Sequence, residues 1–88
     1  MEKNMYEIEL KDTVDMMLSE DYKERFKAEF YQLHIRYGKL NYMLYQWDND
    51  KLVSPPPCPR EFYDKIHDAM RAYLDVLLKR AEIEGIEL

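Results

Sequence analysis

The feature that most constrains this 88-residue chain is a pair of apolar stripes on a single stretch of sequence, residues 20–47. The first stripe advances by four and then three residues, which is the heptad spacing of a helix that packs lengthwise against another helix. Its members are Phe26, Phe30, Leu33, Tyr37, Leu40, Leu44 and Trp47. The stripe therefore predicts a long helix with a helical partner.

The second stripe has the same spacing but lies on nearly the opposite side of that helix, about 200° around, because each residue turns a helix by roughly 100°. Its members are Tyr31, Ile35, Gly38, Tyr42 and Tyr45. One partner helix can cover only one of the two stripes. We therefore predict that the second stripe is an interaction face, covered by a folded-back arm, by a sister subunit or by a foreign protein.

Start and stop signals divide the chain into one arm, two long helices and a loop. Asp21 and Glu24 imitate a capping box, so the first long helix spans residues 20–47. Residues 48–59 form a proline-rich loop, because consecutive prolines cannot be helical. The second long helix spans residues 60–84 and ends at Gly85, which suits a left-handed cap.

The second helix carries two adjacent apolar sets. One set continues the heptad spacing, and we expect it to pack against the first stripe of the first helix; it comprises Phe62, Ile66, Ala69, Tyr73 and Val76. The other set widens that face by about 100°. It comprises Met70, Leu74, Leu77 and Ala81.

Residues 1–18 form the N-terminal arm of the predicted domain, which occupies residues 1–88. Tyr6, Ile8 and Leu10 alternate with charged residues, which permits a short strand, and Thr13 can cap a short helix from Val14. The predicted fold class is all-α: an antiparallel helical hairpin of two long helices with a short N-terminal arm or helix.

Composition and charge exclude several classes of function. The chain has a net charge of −5 and shows no basic excess, so duplex nucleic acid is not an expected partner. It contains no apolar run of about 18 residues that would span a membrane. Its single cysteine, Cys58, cannot form an internal disulfide, which fits a reducing cytosol.

No motif for catalysis, for a cofactor or for a metal is present, and we predict a protein that is not an enzyme. Asp64, His67 and Asp68 share one helix face, but a solvated surface explains them without a metal. There is neither a glycine-rich phosphate loop nor a metal-spaced cysteine pair.

Basic residues alternate with tyrosines along the first long helix. Lys27, Arg36 and Lys39 are the cations that could contact an anion or a nucleotide, because tyrosine rings beside cations can stack a base and hold its phosphate. Tyrosine is equally suited to a half-buried protein interface, where the ring is dry and the hydroxyl is wet. The sequence alone is compatible with both nucleotide binding and a protein interface.

Several runs of the chain resemble a known group of proteins. They include the run from Ser19 to Glu29 and the ending from Arg80 to Leu88. Between them lie the pairs Gln32-Leu33, Arg36-Tyr37, Lys39-Leu40, Cys58-Pro59, Ala69-Met70, Tyr73-Leu74 and Val76-Leu77. Together they resemble short helical-hairpin proteins of Firmicutes phages and prophages, in a family related to a crAss-like phage gene product. The resemblance implies an accessory protein in the cytoplasm of a bacterial host, and it carries over no functional residue.

Three hypotheses for function follow from the residues and the resemblance. The first is a phage or prophage protein that binds a host or phage protein, as a counter-defence inhibitor similar in role to an anti-CRISPR, and that forms homo-oligomers. The second is an oligomeric sponge that sequesters a cyclic or other small nucleotide immune signal through Arg36, Lys39 and nearby tyrosines. The third is a structural or regulatory phage component.

Overall fold

Two long helices lie side by side in a computed structural model that describes residues 5–88. A 3-10 turn, Leu10–Thr13, leads into the short helix α1, Val14–Met17. The long helices are α2, Tyr22–Asp48, and α3, Arg60–Glu84. The predicted all-α hairpin with an N-terminal arm is confirmed, and the first four residues of the predicted arm lie outside the described residues.

The two long helices run antiparallel, because residues early in α2 contact residues late in α3. Arg80 lies over the Phe26 ring, with the guanidinium carbon 4.5 Å from the ring centroid. At the other end Arg60 binds the Asp48 carboxylate at 2.7 Å. Between these ends the Tyr37 hydroxyl lies 3.2 Å from Nε2 of His67.

The ends of the long helices follow from local chemistry. Asp21 caps α2, since its carboxylate accepts a hydrogen bond from the Lys23 backbone N–H at 2.9 Å. Gly85 ends α3 in the left-handed region, with φ of 67°, and the Ile86 N–H donates to the Ala81 carbonyl at 2.9 Å. This is the bonding pattern of a Schellman end, and it folds Ile86 into the core.

The face of α3 that packs on α2 differs from the expectation. Phe62, Ile66, Tyr73 and Val76 are between 44% and 61% exposed, so the expectation that they pack against the first stripe is wrong. The buried face is turned by one residue, to Leu74, Leu77 and Ala81. Both sets have heptad spacing, and α2 contacts the set that meets the large rings at Phe26 and Phe30.

The arm folds back across α2. Thr13 is almost fully buried, and its hydroxyl donates to the Leu10 carbonyl at 2.7 Å and accepts from Gln32 Nε2 at 2.9 Å. This bond joins the arm to α2, and it replaces the expected capping of α1 by the Thr13 side chain. Residues 5–7 form a turn, so the described part of the arm contains no strand.

Within residues 5–88 no helix is both long enough and apolar enough to cross a membrane.

Candidate ligand-binding cleft

The arm covers one part of the second stripe of α2 and leaves the other part exposed. Ile8 is buried in the same cluster as Tyr31, and Ile35 packs against the edge of that cluster. Tyr42 and Tyr45 lie beyond the arm and are 66% and 56% exposed. The arm therefore covers the first half of the predicted interaction face and leaves the second half open.

A cleft of about 480 Å³ lies where the arm meets α2. Its walls are formed by Met5, Tyr6, Ile8, Glu9 and Leu10 from the arm and by His34, Ile35, Gly38, Lys39 and Tyr42 from α2. This volume falls within the range of about 300–1,000 Å³ that small-molecule sites occupy. Four residues named at the sequence level, Ile35, Gly38, Lys39 and Tyr42, thus come together in one concave site.

Aromatic rings line one end of the cleft. The His34 ring stacks on Phe30, with centroids 5.8 Å apart, and meets the Tyr6 ring edge-on at 6.0 Å. Tyr6 is largely exposed, and so is Tyr42 on the α2 wall. Flat, accessible π faces of this kind suit the stacking of a planar ligand such as a nucleobase.

Gly38 forms an open part of the α2 wall. A Cβ added at this position would meet no atom within 4 Å, so no described backbone approaches it closely. Packing among residues 5–88 therefore does not require a glycine at this position. Its effect is to keep the wall of the cleft free of a side chain.

The replacement Gly38→Ala should raise stability, because alanine has a higher helix propensity by about 1 kcal/mol and the added methyl has room. We expect the midpoint of thermal unfolding to increase by about 4–8 °C, measured by circular dichroism at 222 nm. The opposite change on the same helix, Ala28→Gly, should lower the midpoint by more than Gly38→Ala raises it, because it also removes a buried methyl group. A Gly38→Ala variant that is less stable than the wild type would contradict the open wall.

The charged side chains at the cleft favour the binding of an anionic group. Lys39 lines it, and Arg36 lies one helical turn away; neither side chain forms an ion pair with the residues that the structure describes. The carboxylate at the cleft, Glu9, is already paired with Lys11 at 3.2 Å. Lys27 is placed differently, because it pairs with Glu24 at 3.3 Å and lies about 18 Å along the helix from Lys39.

A second cleft, of about 360 Å³, lies at the loop end of the hairpin beside Tyr45. Its cation, Arg60, is shared between Asp48 at 2.7 Å and Asp64 at 2.9 Å. The hydrogen bond from Arg60 lowers the pKa of the Asp48 carboxyl. Because its cation is neutralised, this second cleft has no free positive charge for a phosphate.

Sequence reasoning missed the arm residues and His34 as parts of the site. The spacing of Phe30, His34, Gly38 and Tyr42 by four residues places them on one side of α2, and this was the available signal. In contrast, the approach of Tyr6 and Ile8 depends on how the arm folds back, which no local pattern specifies. Among residues 5–88 no group of three metal-ligating side chains is clustered.

The hairpin and the arm define a small all-helical domain with a concave candidate site between the arm and α2. The Sequestin family model matches residues 20–83, which include nearly all of both long helices, and the chain belongs to the Sequestin family. No curated protein matches the chain, and no solved structure does either.

Proposed function

We propose that this protein binds and sequesters a small nucleotide in the cleft between the arm and α2, and that it acts by binding rather than by catalysis. The observation that carries the proposal is the meeting of exposed aromatic rings in one cleft of about 480 Å³ with Lys39, which forms no ion pair with any residue in 5–88. A nucleotide needs this pair of contacts, a π face for its base and a cation for its phosphate. The family name, Sequestin, agrees with capture of a ligand.

Binding of a foreign protein is the alternative, and the second stripe of α2 was its basis. The arm covers Tyr31 and Ile35, so Tyr42 and Tyr45 are the exposed remainder of that stripe. Two tyrosines three residues apart form a smaller patch than a stable protein interface uses, which is roughly 800 Å² on each partner. For this reason we favour a small ligand.

The setting that we propose is a phage or prophage protein acting in the bacterial cytoplasm against a nucleotide-based defence signal. A protein that only sequesters its ligand must be abundant or must bind tightly, since it does not turn the ligand over. The resemblance to phage helical-hairpin proteins supports this setting.

Replacing Lys39 with glutamate tests the proposal. Isothermal titration calorimetry against linear and cyclic mono- and dinucleotides should identify a ligand that binds the wild type, and Lys39→Glu should weaken that binding more than tenfold. The reason is that the phosphate loses a charged partner and meets a carboxylate, a difference of about 1.5–3 kcal/mol. Lys23→Glu is the control, since it makes the same change on α2 about 24 Å away.

A second variant tests the cleft without changing its charge. Gly38→Leu places a side chain on the open wall, and it should abolish nucleotide binding while α2 keeps its helical signal. Full binding by this variant would exclude the cleft as the site. A wild type that binds no member of the panel, but captures one host protein that Tyr42→Glu fails to capture, would favour the protein-binding alternative.

A further inference from the structure

The outer face of α3 carries an apolar stripe that the rest of residues 5–88 covers only in part: the Tyr73 hydroxyl donates to the Glu29 carboxylate of α2, and the large apolar side chains of the stripe stay about half exposed or more. From Phe62 to Val76 its members lie at spacings of four and three residues, Arg80 occupies the next position and Ile83 the one after it; the large apolar members are between 44% and 73% exposed. They are Phe62, Ile66, Ala69, Tyr73, Val76 and Ile83, which we call the α3 stripe. The stripe is separate from the cleft, because the cleft is built from the arm and α2 alone.

The heptad spacing of the α3 stripe indicates which kind of partner can cover it. Over the 22 residues from Phe62 to Ile83 the heptad positions stay in line for about 32 Å, and all of them except Arg80 are apolar, which matches a second helix lying alongside. A small ligand or an irregular surface does not require such a period. The chain itself provides a helix with this property, namely α3 of a second copy.

We propose that two copies of the chain associate through the α3 stripe, with the two α3 helices antiparallel. Six side chains, each roughly half exposed, offer on the order of 1,000 Å² across both copies, which reaches the lower limit for a specific interface. Because the same stripe is used on both sides, a two-fold axis closes the assembly as a dimer.

The charges beside the stripe select the antiparallel direction. In an antiparallel pair the outer flank of one helix meets the same flank of the other. If Tyr73 lies opposite Val76 of the second copy, Lys65 comes beside Glu82 of that copy and Asp68 comes beside its Lys79. The two-fold axis repeats both pairs, so four ion pairs border the seam; Lys79 and Glu82, which lie 3.6 Å apart as a pair within one chain, would exchange partners to form them.

A parallel pair does not offer this match. There the outer flank of one α3 would face the inner flank of the other, which contains Met70 and Leu77. Leu77 is buried against α2, and Met70 lies on the same side of α3. The inner flank is thus occupied within the hairpin, and the antiparallel seam is the arrangement that leaves the hairpin unchanged.

The mass in solution tests the association. Light scattering during size exclusion, and sedimentation equilibrium, should give twice the chain mass of 10.8 kDa at tens of micromolar protein. Val76→Glu should give the single chain mass, because it places two carboxylates at the centre of the seam. Leu78→Glu is the matched control: it makes the same kind of change on α3, at a site 48% exposed but outside the stripe, and it should stay dimeric.

Cross-linking tests the direction of the seam in a Cys58→Ser background. The double variant with Ile66→Cys and Ile83→Cys should form a disulfide-linked dimer, whereas Ile66→Cys alone should not. In a parallel seam Ile66→Cys alone would cross-link. That result, a monomeric wild type or a dimeric Val76→Glu variant would overturn the proposal.

Charge reversal gives a test that does not depend on apolar contacts. Asp68→Lys should raise the dissociation constant of the dimer about tenfold, and adding Lys79→Glu should restore it. If the double variant stays as weak as the single one, the register is wrong. Nucleotide titration of Val76→Glu separates this proposal from the function proposed above, because the cleft should bind its ligand in the monomer.

Discussion

Phe30→Ala should remove a large fraction of the stability of this protein. Phe30 is 2% exposed, and its ring contacts both Tyr31 and His34, so it connects the hairpin core to the region beneath the arm. Removing a buried phenylalanine ring costs about 3–5 kcal/mol. A domain of this size has a total stability of only about 4–13 kcal/mol, so the loss is a large fraction of it.

The measurement is a thermal melt and a urea titration followed by circular dichroism. We expect the unfolding midpoint to fall by about 15–30 °C. Val53→Ala is the control, since Val53 is fully exposed in the loop and its removal should shift the midpoint by less than about 2 °C. A Phe30→Ala variant that melts within a few degrees of the wild type would show that the hairpin core lies elsewhere.

Ile8→Asp should release the arm while the hairpin stays folded. Ile8 is the arm residue in the buried cluster, and a carboxylate cannot be buried there without a charged partner. The arm loses the burial of one large side chain, about 1.5–3 kcal/mol, whereas the contacts between α2 and α3 are not altered. The cleft then loses one wall, so nucleotide binding should fall below detection.

Three measurements identify this outcome. The helical signal should remain close to that of the wild type, limited proteolysis should cleave first within residues 5–18, and calorimetry should show no ligand binding. Val14→Asp is the control, because Val14 is an exposed arm residue outside the cleft. Normal ligand binding by Ile8→Asp would exclude the arm as a wall of the site, and a lost helical signal would mean that the hairpin depends on the arm.

The sequence predicted the hairpin well because its determinants are local and repetitive. The heptad spacing on α2 is uninterrupted, and Gly85 is the kind of residue that a left-handed helix end requires. The face of α3 was harder, since that helix has two heptad sets displaced by one residue. Periodicity alone gives both sets equal weight, and the choice depends on which set fits the ring positions of α2.

Only the α2 wall of the cleft could be predicted from the sequence, and the arm wall could not, for a related reason. Ile35, Gly38, Lys39 and Tyr42 lie on one helix, and the 3.6-residue repeat places them on neighbouring sides. The arm has no long apolar period, and its position depends on the buried side chains of Ile8 and Thr13, on the packing of Met16 and on the hydrogen bond between Thr13 and Gln32. Contacts between residues this distant in sequence leave no pattern in the sequence itself.

The hydrogen bond between Thr13 and Gln32 has a consequence for how long a captured ligand stays bound. The arm is a short segment that is attached to α2 through Ile8, Met16 and the hydrogen bond from Gln32 to Thr13, so it can open locally at a lower free-energy cost than unfolding of the whole domain. On the proposed function, each opening would be an opportunity for the nucleotide to escape. Residence time would then be set by the strength of the arm's attachment as well as by contacts to the ligand. Gln32→Leu should therefore increase the dissociation rate more than the association rate, since its side chain lies outside the cleft.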